Sequence, residues 1–176
     1  CLLAETINIS SNTTKIGNSA FSGCTMLTAF FIPDTVTTIG EYAFSGCISI
    51  MKINSTMDGE LNIPSGVKTI NTCAFKGLAG ITKVNLPDSV TSLGYGIFEG
   101  CTSIEELTTP YISTSTASSE AYHVFDIMFA YSSYSPSTSN THVPASVKKV
   151  TITKQTTISN YAFYNCKYIE EINIPE

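Results

Sequence analysis

The chain has 176 residues, of which 43% are hydrophobic, so it can bury a core and is not expected to be disordered. Only 13% of its residues are charged, with nine lysines, no arginine and a net charge of −5, which excludes a basic surface for nucleic acid. No run of 18 apolar residues occurs, so we expect no membrane insertion within this segment.

A repeated tetrad runs along the chain. It reads AFSG at 20–23 and 43–46, AFKG at 74–77, IFEG at 97–100 and AFYN at 162–165, with IMFA at 127–130 as a degenerate member. The phenylalanines are 23, 31, 23, 31 and 34 residues apart, which indicates a 23-residue unit with insertions of 8, 8 and 11. Such a period predicts a stacked solenoid, in which insertions are expected to form loops on one face.

Each repeat also predicts a strand that a proline ends. Apolar residues follow the tetrad in an L-x-x-L-x-L pattern, as in Ile81, Val84 and Leu86, and Pro33, Pro87, Pro110 and Pro175 stand just beyond. A second apolar pair, such as Val36 and Ile39, precedes a small residue. These small residues predict positive-φ turns, and they are Gly17, Gly40, Asn71 and Gly94. The tetrad is expected to form a tight 3₁₀ turn that carries the ring inward.

The motifs AFSGC, IPDTVTTIG and LPDSVTSLG resemble the BspA-like leucine-rich repeat family of bacterial and protist surface proteins. The match is close over 1–110 and 147–176. The resemblance implies a leucine-rich repeat solenoid, right-handed and β-rich, with parallel in-register strands. It also implies a cell-surface location and adhesion to proteins.

We expect about seven coils in one domain over 1–176, with 110–146 a divergent coil carrying a Ser/Tyr-rich loop. The chain begins and stops partway through a repeat, which suggests a piece of a longer array whose uncapped coils could associate end to end.

Cysteine recurs at one repeat position. Cys1, Cys24, Cys47, Cys101 and Cys166 share it with Leu78, which indicates a small apolar core position. Neighbouring strands would bring these cysteines near disulfide distance, but parallel in-register side chains rarely satisfy the disulfide torsion. The sequence therefore predicts free thiols there and at Cys73. Neither a metal site nor a cofactor is expected, because no clustered Cys or His motif occurs.

The outward strand positions carry the candidate binding residues. Lys148 and Lys149 are predicted to lie between Glu105/Glu106 and Glu170/Glu171, where opposite charges attract. This ladder favours control of strand register over a ligand site. Phe31 stands in a column of Asn and Thr, and two interpretations remain open: an exposed anchor for a partner, or a ring packed over the stem of Lys52.

The divergent coil offers tyrosines beside serine and asparagine, a composition typical of adaptable contacts, although a mobile spacer fits it equally well. The candidate protein-binding residues are therefore Phe31, Lys52, Lys83, Glu106, Lys149, Tyr111, Tyr131 and Tyr134.

Three functions remain open. The first is a non-catalytic extracellular module that binds a protein, for which the resemblance points to host matrix or host surface proteins. The second is a structural spacer that holds another domain away from the cell. The third and weakest is a hydrolase using Glu120, His123 and Asp126, which lacks a positioned nucleophile.

Overall fold

The computed structural model describes residues 4–112, 124–130, 142–158 and 162–176. They form a parallel β-solenoid of about six turns, close to the predicted number of coils, and the predicted fold is confirmed. Hydrogen bonds from residue i+3 to residue i tighten the tetrads, as from the Cys24 amide to the Phe21 carbonyl at 3.1 Å. Within the described ranges, the one helical segment is the 3₁₀ turn Val124–Met128.

Two parallel sheets line the solenoid. The larger sheet has eight strands, which are, in sheet order, β1 (Thr6–Ile7), β3 (Ala29–Phe30), β5 (Lys52–Ile53), β6 (Glu60–Asn62), β8 (Lys83–Asn85), β10 (Glu106–Thr109), β11 (Lys149–Ile152) and β12 (Glu171–Asn173). The smaller sheet has four strands, which are β2 (Lys15–Ile16), β4 (Thr38–Ile39), β7 (Thr69–Ile70) and β9 (Ser92–Leu93).

The predicted file of phenylalanines forms the centre of the core. Ring centroids lie 5.4 Å apart between Phe21 and Phe44, 5.5 Å between Phe44 and Phe75, and 6.0 Å between Phe75 and Phe98. The degenerate member Phe129 continues the file at 6.2 Å from Phe98. Stacked rings from successive coils exclude water from one another, so each coil is stabilised by its neighbours.

The first eight-residue insertion forms a strand, and the prediction that it would be a loop is wrong. Residues 54–59 turn back beside β5, and β6 then runs parallel to it with Leu61 opposite Ile53. The Gly59 amide closes this short coil on the Met51 carbonyl at 2.7 Å. Because the backbone donors and acceptors of a strand must be paired, a segment of suitable length joins the ladder. We call residues 54–59 the short coil.

The short coil lengthens only one side of the solenoid. The larger sheet gains β6 between β5 and β8, whereas β4 and β7 of the smaller sheet still pair directly. One extra strand adds about 4.8 Å to the larger sheet.

The glycines before the tetrads do not adopt positive φ, so that prediction is also wrong. The left-handed residues lie two positions later, at Ser19, Tyr42, Cys73 and Gly96, with φ between 54° and 59°. Gly40 is required for a different reason: a Cβ there would lie 2.6 Å from the Asn18 nitrogen of the preceding coil. Close approach of two backbones selects glycine at this position.

Candidate interaction face

A row of alternating charge crosses the outer surface of the larger sheet. Strand pairing places Glu60 opposite Lys83, Lys83 opposite Glu106, Glu106 opposite Lys149 and Lys149 opposite Glu171. Lys52 precedes Ile53 just as Glu60 precedes Leu61, so it begins the row. We call this row the charge ladder, and its members are Lys52, Glu60, Lys83, Glu106, Lys149 and Glu171.

The structure confirms the predicted order around the divergent coil. Lys149 Nζ lies 2.9 Å from Glu171 Oε1, and Lys148 Nζ lies 3.4 Å from Glu170 Oε1. The repeat period did not predict Glu60 as a member of the ladder, although the sequence contains a signal for the strand that carries it. Residues 61–64 read LNIP, which nearly repeats the INIP of 172–175 and marks a second strand soon after β5. Without Glu60, Lys52 and Lys83 would have been neighbours of like charge.

Hydrogen bonds and ion pairs hold the ladder carboxylates in their charged form. The pKa of Glu60 is lowered, chiefly because the Ser55 hydroxyl donates to its carboxylate at 2.6 Å. The pKa of Glu171 is lowered by the hydrogen bond from Lys149, and the same contact raises the pKa of Lys149. The side chain of Glu171 is exposed and those of Glu60 and Lys149 are partly exposed, so we expect the ladder to fix strand register more than to add stability.

We expect the ladder to weaken in acid. A carboxylate whose pKa is lowered on folding stabilises the fold at neutral pH, and this contribution is lost as the pH falls through the folded-state pKa. Below that range, Lys52, Lys83 and Lys149 keep their charge without their partners. The Glu60→Gln variant should therefore show a shallower acid loss of stability than the wild type, measured as the urea midpoint from neutral to acidic pH.

Glu41→Gln is the matched control, because Glu41 is exposed and lies outside the ladder. Its acid dependence should remain that of the wild type. If both variants flatten the acid dependence equally, the ladder is not its source.

Asn54, Asn62 and Asn85 form a second row of side chains beside the charge ladder, which we call the amide row. Asn85 Nδ2 donates to Asn62 Oδ1 at 2.6 Å. Asn54 bonds Ile32 at both ends of its amide: Ile32 N donates to Asn54 Oδ1 and Asn54 Nδ2 donates to the Ile32 carbonyl, each at 2.7 Å. Asn54 thus takes the place of a neighbouring strand for Ile32, at the point where the short coil turns away from β5. The φ of Asn54 is 50°.

Phe31 breaks this row with an exposed ring. Its accessible fraction is 63%, and it lines a groove of about 430 Å³ together with Ala29, Lys52 and Asn54. The ring therefore faces solvent, and Lys52 lies in the same groove. The ammonium group of Lys52 is paired with Asp58 Oδ1 at 3.0 Å.

The tyrosines of the divergent coil are only partly described. The hydroxyl of Tyr111 is buried, and burial raises the pKa of that phenol to about 12. A partner could reach Tyr111 only through the accessible part of its ring. Tyr131 and Tyr134 lie outside the described residues, as do Glu120 and His123 of the hydrolase hypothesis. Across the described ranges, no group of three or more His, Cys, Asp or Glu residues could hold a metal ion.

Cys24, Cys47, Leu78 and Cys101 of the repeating column are buried as predicted, whereas Cys166 is only partly buried, and one thiol of the column is not free. Cys24 is disulfide-bonded, which corrects the prediction of free thiols at this position. Cys47, Cys73, Cys101 and Cys166 form no disulfide. Burial raises the pKa of Cys101 to about 12, so its thiol is unreactive at neutral pH.

The repeat matches a known family over nearly its whole length. The model of the BspA type leucine rich repeat region matches residues 1–58, 56–128 and 138–176, in six copies. The chain belongs to this family. No curated protein matches the chain. Among its described residues, this BspA-type solenoid contains no helix long and apolar enough to cross a membrane.

Solved structures show the same fold. The T. pallidum leucine rich repeat protein is 19% identical, with a TM-score of 0.54 over 97% of this chain and 59% of that one. The pneumococcal vaccine antigen PcpA is also 19% identical, with a TM-score of 0.62 over 98% of this chain and 42% of that one. The BspA-type chain thus spans less than two thirds of each of these proteins.

Proposed function

We propose that this chain is a protein-interaction module displayed outside the cell, and that the outer face of its larger sheet binds the partner. Leucine-rich repeats of this family generally mediate protein interactions. The observation that carries the proposal is a rigid face of eight in-register strands that projects rows of charged, amide and aromatic side chains. The candidate partners are host matrix or host surface proteins.

The extracellular location has support in the cysteine chemistry. Cys24 is disulfide-bonded, and disulfides persist mainly in oxidising compartments such as the cell exterior. The family resemblance points the same way. The module acts without a cofactor and without catalysis in this proposal.

Blocking the face tests the proposal. Thr108 lies on β10, directly opposite Asn85 of β8 and Thr151 of β11. Its replacement by Trp would obstruct the centre of the larger sheet. Thr69→Trp makes the same change on β7 of the smaller sheet and is the matched control. We expect immobilised matrix or host-surface proteins to retain the wild type and the control, and to release Thr108→Trp. Circular dichroism verifies that both variants fold.

A structural spacer is the second candidate, and the charge ladder favours it. Its lysines and glutamates satisfy one another, as Lys83 does with Glu60 at 3.9 Å and with Glu106 at 3.8 Å. A face that neutralises itself offers a partner few unpaired charges. Negligible retention of the wild type by every immobilised protein would support the spacer over the binder. A double variant, Tyr131→Ser with Tyr134→Ser, tests separately whether these two tyrosines contribute to binding, as the sequence predicts.

A further inference from the structure

One end of the outer face carries no ladder charge. Thr6 and Ala29 pair with each other on β1 and β3, in the row that holds a lysine or glutamate on every later strand. Over the ladder, a docking partner must remove water from ion pairs, and this desolvation opposes binding. Over Thr6 and Ala29, no ion pair of the ladder has to be desolvated. On β1 and β3 the ladder row can therefore be covered at least cost.

The same end holds the groove beside Phe31. Alanine ends at Cβ, so the row is lowest at Ala29, between Thr6 and the long side chain of Lys52. Phe31 and residues 54–56 of the short coil also line the groove. The volume of about 430 Å³ falls within the range of sites that take organic ligands or large side chains.

The charge at the groove is already neutralised. The Lys52 ammonium contacts Asp58, so neither an acidic nor a basic group is needed to complete the site. An apolar surface can cover the ring of Phe31, while Thr6, Asn8 and Thr56 contribute hydroxyl and amide groups to the lining. A buried aromatic anchor within a polar rim is typical of the residues that dominate protein interfaces.

We propose that the Phe31 groove receives an uncharged segment of a protein partner, which packs a leucine, isoleucine or aromatic side chain against Phe31 above Ala29. This inference rests on the proposed function and names the chemistry of the partner. It places the anchor beside β1 and β3, on the same outer face of the larger sheet, and assigns the charge ladder to the control of strand register. Binding at the groove is accordingly insensitive to salt, since no ion pair forms with the partner.

Blocked amino acids test the groove directly. N-acetyl-leucinamide and N-acetyl-tryptophanamide are titrated into the isotopically labelled chain, with the amide signals of residues 29–31 and 52–56 as the readout. N-acetyl-lysinamide, N-acetyl-glutamate amide and a neutral disaccharide serve as comparisons. We expect saturable shifts with the two apolar amides, unchanged by added salt, and at least about tenfold weaker binding of the other three.

Two variants locate the binding. Phe31→Ser removes the aromatic ring from the groove, and Ala29→Glu fills the space above Ala29 and extends the charge ladder. Each variant should weaken the binding of the apolar amides about tenfold or more. Tyr95→Ser removes an equally exposed ring, 61% accessible, and should leave binding unchanged. Absence of saturable shifts, tighter binding of the disaccharide, or full binding to Phe31→Ser would each overturn the proposal. None of these results bears on Thr108→Trp, which tests the proposed function with whole proteins.

Discussion

Replacing Phe75 by alanine should destabilise the chain by about 3–5 kcal/mol, the usual cost of removing a fully buried aromatic ring. Phe75 is 0% exposed, and its ring lies 5.5 Å from that of Phe44 and 6.0 Å from that of Phe98. The backbone of each coil is held by hydrogen bonds to its neighbours, so the cavity cannot close completely. Urea unfolding followed by circular dichroism measures the loss.

Phe31→Ala is the matched control, since it deletes the same ring from a site that is 63% exposed. Its effect should stay within about 0.5 kcal/mol. Comparable losses for the two variants would mean that the phenylalanine file does not form the centre of the core. This would contradict the stacking on which the fold depends.

Gly40→Ala should destabilise the chain by about 1–3 kcal/mol, as overpacking does in a dense interior. The added Cβ would lie 2.6 Å from the Asn18 nitrogen and equally close to the Gly17 carbonyl carbon. Both atoms belong to the backbone of the preceding coil, so relief requires the two coils to separate. The same unfolding measurement applies.

Gly17→Ala occupies the same repeat position and should have the opposite sign. Among the residues that the structure describes, none lies within 4 Å of its added Cβ, and its φ is not positive. Alanine then restricts the unfolded chain and stabilises the fold by about 0.4–1 kcal/mol. If Gly17→Ala is as harmful as Gly40→Ala, the need for glycine is local and does not come from the contact between coils.

The proposed binding and the stability of the fold depend on different residues. Phe75 and Gly40 hold the coils together from inside, whereas Phe31, Ala29 and Thr108 project outward and can be changed with little effect on the fold. The variants that test partner binding should therefore remain folded. Loss of binding in a folded variant can then be assigned to the surface itself.

The sequence alone determined the stacking and much of the surface. In a solenoid, residues at equivalent repeat positions become neighbours in space, so a regular period specifies contacts directly. The file from Phe21 to Phe98 and the placement of Lys149 between Glu106 and Glu171 follow from the period, and the structure confirms them. The exposure of Phe31 follows from its outward position on the strand.

Only the tertiary structure decided what happens where the period breaks. The first eight-residue insertion could have formed a loop, but it forms β6 instead. The backbone groups of β6 pair with β5 and β8, and this places Glu60 in the charge ladder. The buried hydroxyl of Tyr111 and the contact that requires Gly40 likewise depend on how closely particular parts of the chain approach. Repetition tells which residues are neighbours, whereas the distance between their backbones is set by the packing of the whole array.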